Sequence, residues 1–141
     1  MSCLLCTNIN EIIIINNRLF RIVIIDNQDY PGYLNLITNK HFKELTDMSL
    51  IDAKKIFSAI YKIEQIIKII YQCDKVNIFS FGNKVMHVHW HIVPRYINDK
   101  HFPNSIFGEI INPLYQPNLK IQNLEKELKL LLRTQFKETS L

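Results

Sequence analysis

The sequence predicts an α+β fold with an antiparallel sheet of five strands, one long helix and a C-terminal helix. Short apolar runs bounded by Asn, Pro and Gly are typical of strands joined by turns. A central stretch with apolar residues at spacings of three and four is typical of an amphipathic helix. Because no internal repeat or linker interrupts the 141 residues, residues 1–141 are predicted to form one domain.

The strands are predicted from the positions of these apolar runs. They cover residues 12–15, 19–25, 33–38, 76–80 and 85–94. Asn16 and Asn17 separate the first two, and asparagine tolerates the positive φ of a hairpin turn. Pro31 and Gly32 mark the loop before the third strand, and Phe81–Gly82–Asn83 forms the turn between the last two. The pattern therefore predicts a sheet built largely from sequence neighbours.

The long helix is predicted between the third and fourth strands. Ser49 followed by Asp52 resembles a capping box at its N-terminus. Over the next five or six turns the apolar positions are Ala53, Ile56, Phe57, Ile60, Ile63, Ile67 and Ile70. This stripe is expected to pack on the sheet. Leucines at positions 124, 128, 131 and 132 predict the C-terminal helix.

Composition excludes several classes of protein. Hydrophobic residues make up 48% and charged residues 21%, which indicates a globular domain. The net charge is +4, but the lysines are scattered, so no nucleic-acid-binding face is expected. Three cysteines do not suggest a disulfide framework. Without a recognisable secretory signal or an apolar run of about 18 residues, we expect a cytoplasmic protein that does not span a membrane.

Three of the five histidines lie in one short run, HVHWHIV, at His87, His89 and His91. Side chains alternate faces along a strand, so the three imidazoles are expected on one face and the apolar side chains between them on the other. A single histidine on this face would be explained best as a partly exposed polar residue without a function. Three histidines in register favour a functional site. Two chemistries fit the row: a three-histidine zinc site, or a nucleophilic imidazole supported by its neighbours.

The run and its flanks resemble the histidine triad (HIT) family of nucleotide hydrolases and transferases. The signature alternates histidine with apolar residues and ends in two apolar residues, as positions 87–93 do. The flanking segments DYPGYLNLITNKHFKELTDMS and KVNIFSFGN resemble those of a bacterial branch with an N-terminal CxxC. The likeness covers about residues 3–111, which leaves residues 112–141 as a C-terminal extension.

This resemblance implies a HIT-like fold, a homodimer and cleavage of a purine nucleotide at its α-phosphorus. His89 would attack and form a covalent nucleotidyl-histidine, oriented by the backbone carbonyl of His87, and His91 would contact the phosphate oxygens or the leaving group. Dinucleoside polyphosphates such as diadenosine tetraphosphate are the expected substrates, with magnesium accompanying the polyphosphate. Nucleoside phosphoramidates are an alternative, and so is a nucleotide-binding regulator without significant turnover.

The resemblance also implies further nucleotide-binding residues. Asn77, Gly82 and Asn83 would supply donors to the phosphates, and Asp26 matches the acidic residue that holds the ribose hydroxyls. Asp26 is equally typical of a turn at the end of a strand. The chain departs from the family pattern before the triad, where no serine occupies the place that contacts the leaving group and Met86 replaces a common proline.

Cys3 and Cys6 form a CxxC, which is a moderate signal for zinc. Some bacterial family members bind zinc through such a pair, a histidine after the third strand and the first triad histidine. The matching residues here are Cys3, Cys6, His41 and His87, and they would form a closed structural site. The alternative is two reduced cysteines and a surface histidine.

Overall fold

The computed structural model describes residues 3–7 and 9–136. Its elements are α1 (Leu4–Thr7), β1 (Ile12–Asn16), β2 (Phe20–Ile24), β3 (Leu34–Thr38), a 3₁₀ turn (Leu45–Asp47), α2 (Leu50–Tyr71), β4 (Lys75–Phe79), β5 (His89–Arg95), α3 (Leu119–Gln122) and α4 (Glu125–Gln135). The strands form one sheet in the order β1-β2-β3-β5-β4, and every neighbouring pair is antiparallel. The predicted α+β fold is confirmed.

The long helix α2 begins and ends at residues with clear capping roles. The Ser49 hydroxyl accepts a hydrogen bond from the Asp52 amide at 3.1 Å, as the sequence predicts. The Asp52 carboxylate lies 3.7 Å from the Arg18 guanidinium. Gln72 ends the helix with φ of 48°, a left-handed conformation that stops the regular hydrogen-bond pattern. The helix has 22 residues, or about six turns.

The hydrophobic core lies between α2 and one face of the sheet. Trp90 and Ile92 of β5 belong to it, together with Ile56 and Ile63 of α2. Leu128 and Leu132 of α4 are also fully buried in this core. Residues of the C-terminal extension thus cover the sheet, while the assignment of residues 1–141 to one domain stays a prediction. Among the described residues, no helix is long and apolar enough to cross a membrane.

The last strand begins later than the sequence predicts, at His89 instead of residue 85. The His87 amide donates to the Val85 carbonyl at 2.8 Å, so the chain makes a tight turn before the strand. The Val88 amide pairs with the Phe42 carbonyl, outside the β3–β5 ladder. His87 therefore precedes β5, and only His89 and His91 are neighbours on one face of a regular strand.

Candidate active site and metal centre

His89 and His91 lie on the face of the sheet opposite α2. His91 is directly across from Asn35 of β3, and His89 is directly across from Ile37. Residues opposite each other in antiparallel strands share a face, so these side chains form one surface. His89 is 8% exposed and His91 is 9% exposed, and their ring centres are 4.9 Å apart. The two imidazoles therefore lie side by side and are both largely shielded from water.

The hydrogen bond made by His89 decides which of its nitrogens can attack. Its Nδ1 lies 2.7 Å from the His87 carbonyl oxygen. A carbonyl can only accept, so Nδ1 carries the proton and Nε2 keeps a free lone pair. The Ser80 hydroxyl donates to the His89 carbonyl at 2.6 Å and holds the backbone of this residue to the end of β4. In its neutral form, His89 is therefore an oriented imidazole whose Nε2 carries no proton.

His91 is held by two aromatic neighbours from adjacent strands. The Tyr33 hydroxyl, next to β3, lies 2.5 Å from His91 Nδ1. The Phe79 ring of β4 stacks on the imidazole with centres 4.7 Å apart and planes 14° apart. Burial, with a smaller effect from His89, lowers the pKa of His91 to about 4. At neutral pH this imidazole is uncharged.

The other residues predicted to bind the nucleotide occupy different settings. Asn77 Oδ1 accepts a 2.6 Å hydrogen bond from Arg95, which leaves its amide nitrogen for other partners. Gly82 and Asn83 are exposed in the loop between β4 and β5. Asp26 is exposed and lines a pocket of about 550 Å³. The described lining residues of this pocket come from β1, the end of β2 and the loop after it, the end of α2 and the C-terminal segment, and include no triad histidine.

Sequence reasoning missed Tyr33 and Asn35 as parts of the site. Asn35 is 8% exposed, and its Oδ1 has no hydrogen-bond partner among the residues that the structure describes. The position of Asn35 between leucines in the strand LNLIT is a signal that sequence reasoning could have used, because buried polar groups are normally hydrogen-bonded. Tyr33 gave no such signal, since its partner His91 is 58 residues away.

A second cluster brings the CxxC to the first triad histidine. Cys3 Sγ is 3.3 Å and Cys6 Sγ is 3.5 Å from His87 Nδ1. Cys6 Sγ also lies 3.3 Å from His41 Nδ1, and all four ligand atoms are within 4.8 Å of one another. The four residues that the sequence predicts for a metal site therefore converge.

The geometry of this cluster fits a tetrahedral zinc ion. Zinc bonds of about 2.3 Å to sulfur and 2.0 Å to nitrogen place S and N ligands about 3.5 Å apart, close to the observed separations. His87 Nε2 lies 2.7 Å from the Thr38 carbonyl, so Nε2 carries the proton and Nδ1 presents its lone pair to the cysteines. Burial is the largest influence on His87 and lowers its pKa, which favours the neutral imidazole that a metal needs.

Comparison with known proteins agrees with the fold and identifies the family. A family model for the HIT domain matches residues 7–98. A histidine triad protein from Bradyrhizobium japonicum superposes with a TM-score of 0.71 at 27% identity, over 86% of this chain and 90% of the other. One from Marinobacter aquaeolei VT8 has a TM-score of 0.73 at 17% identity, over 89% and 90% of the two chains.

A third similar structure is a zinc-bound histidine triad family protein from Mycobacterium smegmatis. It has a TM-score of 0.65 at 19% identity and covers 96% of both chains. No curated protein matches this sequence significantly. The matched HIT domain spans more than half of the chain and includes all three triad histidines. The chain therefore belongs to the HIT domain family, whose members bind nucleotides.

Proposed function

We propose that the protein hydrolyses a nucleotide at its α-phosphorus through a covalent intermediate on His89. The observation that carries this proposal is the hydrogen bond from His89 Nδ1 to the His87 carbonyl, which leaves Nε2 as a free nucleophile. An imidazole oriented in this way needs no separate base to remove a proton before it attacks. Membership of the HIT domain family, which is associated with nucleotide binding and hydrolase-type activity, supports the same reading.

The reaction has two steps at one phosphorus atom. His89 Nε2 forms a bond to the α-phosphorus as the bond to the leaving group breaks, and water then displaces the imidazole and releases a nucleoside monophosphate. His91 provides a hydrogen bond to the phosphate or the leaving group. The Gly82–Asn83 loop and the free amide nitrogen of Asn77 add donors, because charge on the transferring phosphoryl group is stabilised mainly by positioned donors.

The family likeness favours a purine nucleotide as the substrate, and this is the class that we propose. Dinucleoside polyphosphates such as diadenosine tetraphosphate are the first candidates, and nucleoside phosphoramidates are the alternative. Among the described residues, the one cluster suited to a metal contains no carboxylate, so magnesium would arrive with the polyphosphate. The homodimer, the cytoplasmic location and the contact of Asp26 with ribose stay predictions.

We also propose that Cys3, Cys6, His41 and His87 hold one structural zinc ion. The convergence of four soft ligands supports this, and the solved relative from Mycobacterium smegmatis is itself zinc-bound. Zinc would join the N-terminus to the sheet and fix His87, whose carbonyl orients His89. The alternative of catalytic zinc on the three triad histidines is disfavoured by His87, because its Nδ1 faces the cysteines and its Nε2 is bonded to the Thr38 carbonyl, which leaves no nitrogen for a metal shared with His89 and His91.

The test is to trap the intermediate. Purified protein is mixed with diadenosine tetraphosphate at mildly acidic and neutral pH, quenched within milliseconds to seconds and weighed intact. We expect an adduct of one nucleoside monophosphate that is absent from His89→Ala. That variant should still bind nucleotide but lose activity by about 10⁴-fold or more. His101→Gln is the control, because it removes a histidine that contacts Tyr30 and not the triad.

Other outcomes select the alternatives. Tight binding of adenosine monophosphate with neither adduct nor product from polyphosphate or phosphoramidate would favour a nucleotide-binding regulator. Hydrolysis that persists in a clean His89→Ala sample would reject the covalent mechanism. Activity abolished by a chelator, with metal found on the triad histidines, would favour the metalloenzyme.

A further inference from the structure

The contact between Tyr33 and His91 determines what His91 can give to a substrate. Tyr33 is 4% exposed and His91 is 9% exposed, and their hydrogen bond is buried. Burial raises the pKa of the Tyr33 phenol to about 12 and lowers the pKa of His91 to about 4. The proton therefore stays on the phenol oxygen, Tyr33 donates to Nδ1, and the single imidazole proton of His91 is on Nε2.

Residues of three strands and of the segment after β5 surround the His91 ring. His89 of β5 and Phe79 of β4 face the ring. Asn35 of β3 and Tyr33, the residue before β3, face it from the other side. Phe107, from the segment after β5, packs edge-on with centres 5.8 Å apart. Among the described residues in contact with the ring, none is a carboxylate, a lysine or an arginine. The stacked Phe79 ring and the Tyr33 hydroxyl together hold the imidazole in one orientation.

This arrangement makes His91 a good hydrogen-bond donor and a poor acid. If Nε2 lost its proton, Nδ1 would have to take the proton of Tyr33, which would leave a buried phenolate. A buried unpaired anion is costly, so the proton remains on Nε2 as the leaving group departs. The Ser80 hydroxyl, at the start of the loop before the triad, is bonded to the His89 carbonyl and is therefore not free to protonate a leaving group.

We propose that Tyr33 acts as a positioning residue that restricts this site to phosphoric anhydrides, whose leaving group departs as an anion, and excludes phosphoramidates with amine leaving groups. The inference rests on the proposed function. In an anhydride, the bond from His89 Nε2 to phosphorus forms as the bridging P–O bond breaks, and its electron pair leaves on the phosphate oxygen. His91 Nε2–H donates a hydrogen bond to that oxygen without transferring its proton.

Hydrolysis of the nucleotidyl-His89 intermediate also needs no acid at His91. Water forms a P–O bond as the P–N bond breaks, and the electron pair returns to His89 Nε2. The proton lost by water goes to the released monophosphate or to solvent. An amine leaving group would instead need a proton as the first P–N bond breaks, since an amide anion is too basic to depart.

The test compares two substrates with the same nucleoside, diadenosine tetraphosphate and an adenosine 5′-phosphoramidate with an alkylamine leaving group. Wild type, Tyr33→Phe and the control Tyr30→Phe are assayed from pH 5 to 8. Tyr30 is a buried tyrosine whose hydroxyl bonds to Asp99 and His101, away from the triad. For wild type we expect kcat/KM for the anhydride to exceed that for the phosphoramidate by about 100-fold or more, the size of a missing general-acid contribution.

In Tyr33→Phe, Nδ1 loses its donor and His91 becomes able to accept a second proton. Below pH 6.5, the ratio of kcat/KM for the anhydride to kcat/KM for the phosphoramidate should then fall by about tenfold or more, because phosphoramidate cleavage becomes faster. Tyr30→Phe should retain the wild-type ratio. Nitrogen-15 NMR of wild type should show His91 protonated on Nε2 only. This spectrum and the wild-type substrate ratio decide the proposal even if Tyr33→Phe does not fold.

Three results would overturn the proposal for Tyr33. They are phosphoramidate cleavage by wild type that equals or exceeds anhydride cleavage, a proton on His91 Nδ1, and an equal change in kcat/KM for both substrates in Tyr33→Phe. Failure of this inference is distinguishable from failure of the proposed function. A nucleotidyl-His89 adduct that forms faster from the phosphoramidate overturns the inference alone. If neither substrate gives an adduct, the proposed function fails as well.

Discussion

Two polar clusters lie at opposite ends of the buried strand β5, and they are built in opposite ways. The triad cluster consists of His89, His91, Tyr33 and Asn35. The ion-pair cluster consists of Arg95, Asp99, Tyr30, His101 and Asn77. Arg95 and Asp99 are each 1% exposed and are joined by two hydrogen bonds, of 2.7 and 3.0 Å.

The two clusters differ in how completely their polar atoms are paired. Asp99 also accepts from the amides of Tyr96, His101 and Phe102. In the triad cluster, His91 is uncharged at neutral pH, and the hydrogen bond of His89 Nδ1 leaves Nε2 of that ring without a protein partner. The amide oxygen of Asn35 has no partner among the described residues. A buried network that is fully paired stabilises the fold, whereas unpaired buried atoms beside the triad histidines are typical of a site that binds a ligand.

The largest expected effect on stability is at the ion-pair cluster. Asp99→Asn leaves the Arg95 guanidinium buried without its counter-charge, so we expect the free energy of unfolding to fall by about 3–5 kcal/mol. Urea denaturation measures this. Glu125→Gln, which removes the exposed pair with Lys129 at 3.2 Å, is the control and should cost less than about 1 kcal/mol. Similar losses in both variants would contradict the distinction between the clusters.

Removal of the metal should have the next largest effect. Purified protein is expected to hold one zinc ion per chain. At a free zinc concentration 100 times the Kd, binding raises the free energy of unfolding by about 2.7 kcal/mol. Cys6→Ser should lose both the zinc and this stabilisation, measured by metal analysis and thermal unfolding. Cys73→Ser is the control, because Cys73 lies outside the metal cluster. Equal zinc content in Cys6→Ser and wild type would exclude the proposed ligand set.

Acid should affect the two clusters in different pH ranges. The pKa of His91 is lowered from 6.5 to about 4, so the unfolded chain binds a proton first and stability falls as pH drops from about 6.5 to 4. This titration is worth at most about 3 kcal/mol. Burial raises the pKa of Asp99, but hydrogen bonds from Arg95 and the Tyr96 amide outweigh it and the net pKa is lowered. The ion-pair cluster should therefore lose its contribution only below about pH 4.

Denaturation curves at pH 7, 6, 5 and 4 test this order. His91→Gln should flatten the pH dependence between 6.5 and 4 relative to wild type. The same slope in the variant would show that other groups cause the loss.

The smallest expected effect has the opposite sign. Asn35→Leu replaces an unpaired buried amide by an apolar group of similar size, so we expect the free energy of unfolding to rise by about 1 kcal/mol. Asn77→Leu removes an acceptor of Arg95 and should instead destabilise the protein. Nucleotide binding to Asn35→Leu, measured by calorimetry, should weaken. A destabilised Asn35→Leu would show that this amide serves the fold.

Local pattern was enough for the elements because their causes are local. The Ser49 cap and most of the apolar stripe of α2 were correctly predicted, because both depend on residues within a few turns. Phe57, which was assigned to the stripe, is 47% exposed, and the buried Ile66 was missed. The start of β5 was wrong by four residues. It depends on the turn at Val85–His87 and on Phe42, whose carbonyl pairs with Val88 from a distant part of the chain.

By itself, the sequence determined which face of β5 is apolar and that His89 and His91 lie together on the other, because alternation is a property of any strand. Through the family likeness it also predicted the four residues that converge in the candidate metal cluster. The likeness also implied that the His87 carbonyl orients His89, but only the tertiary structure decided where His91 carries its proton. That position depends on a hydrogen-bond partner and on burial, and for His91 the partner is Tyr33, 58 residues away along the chain.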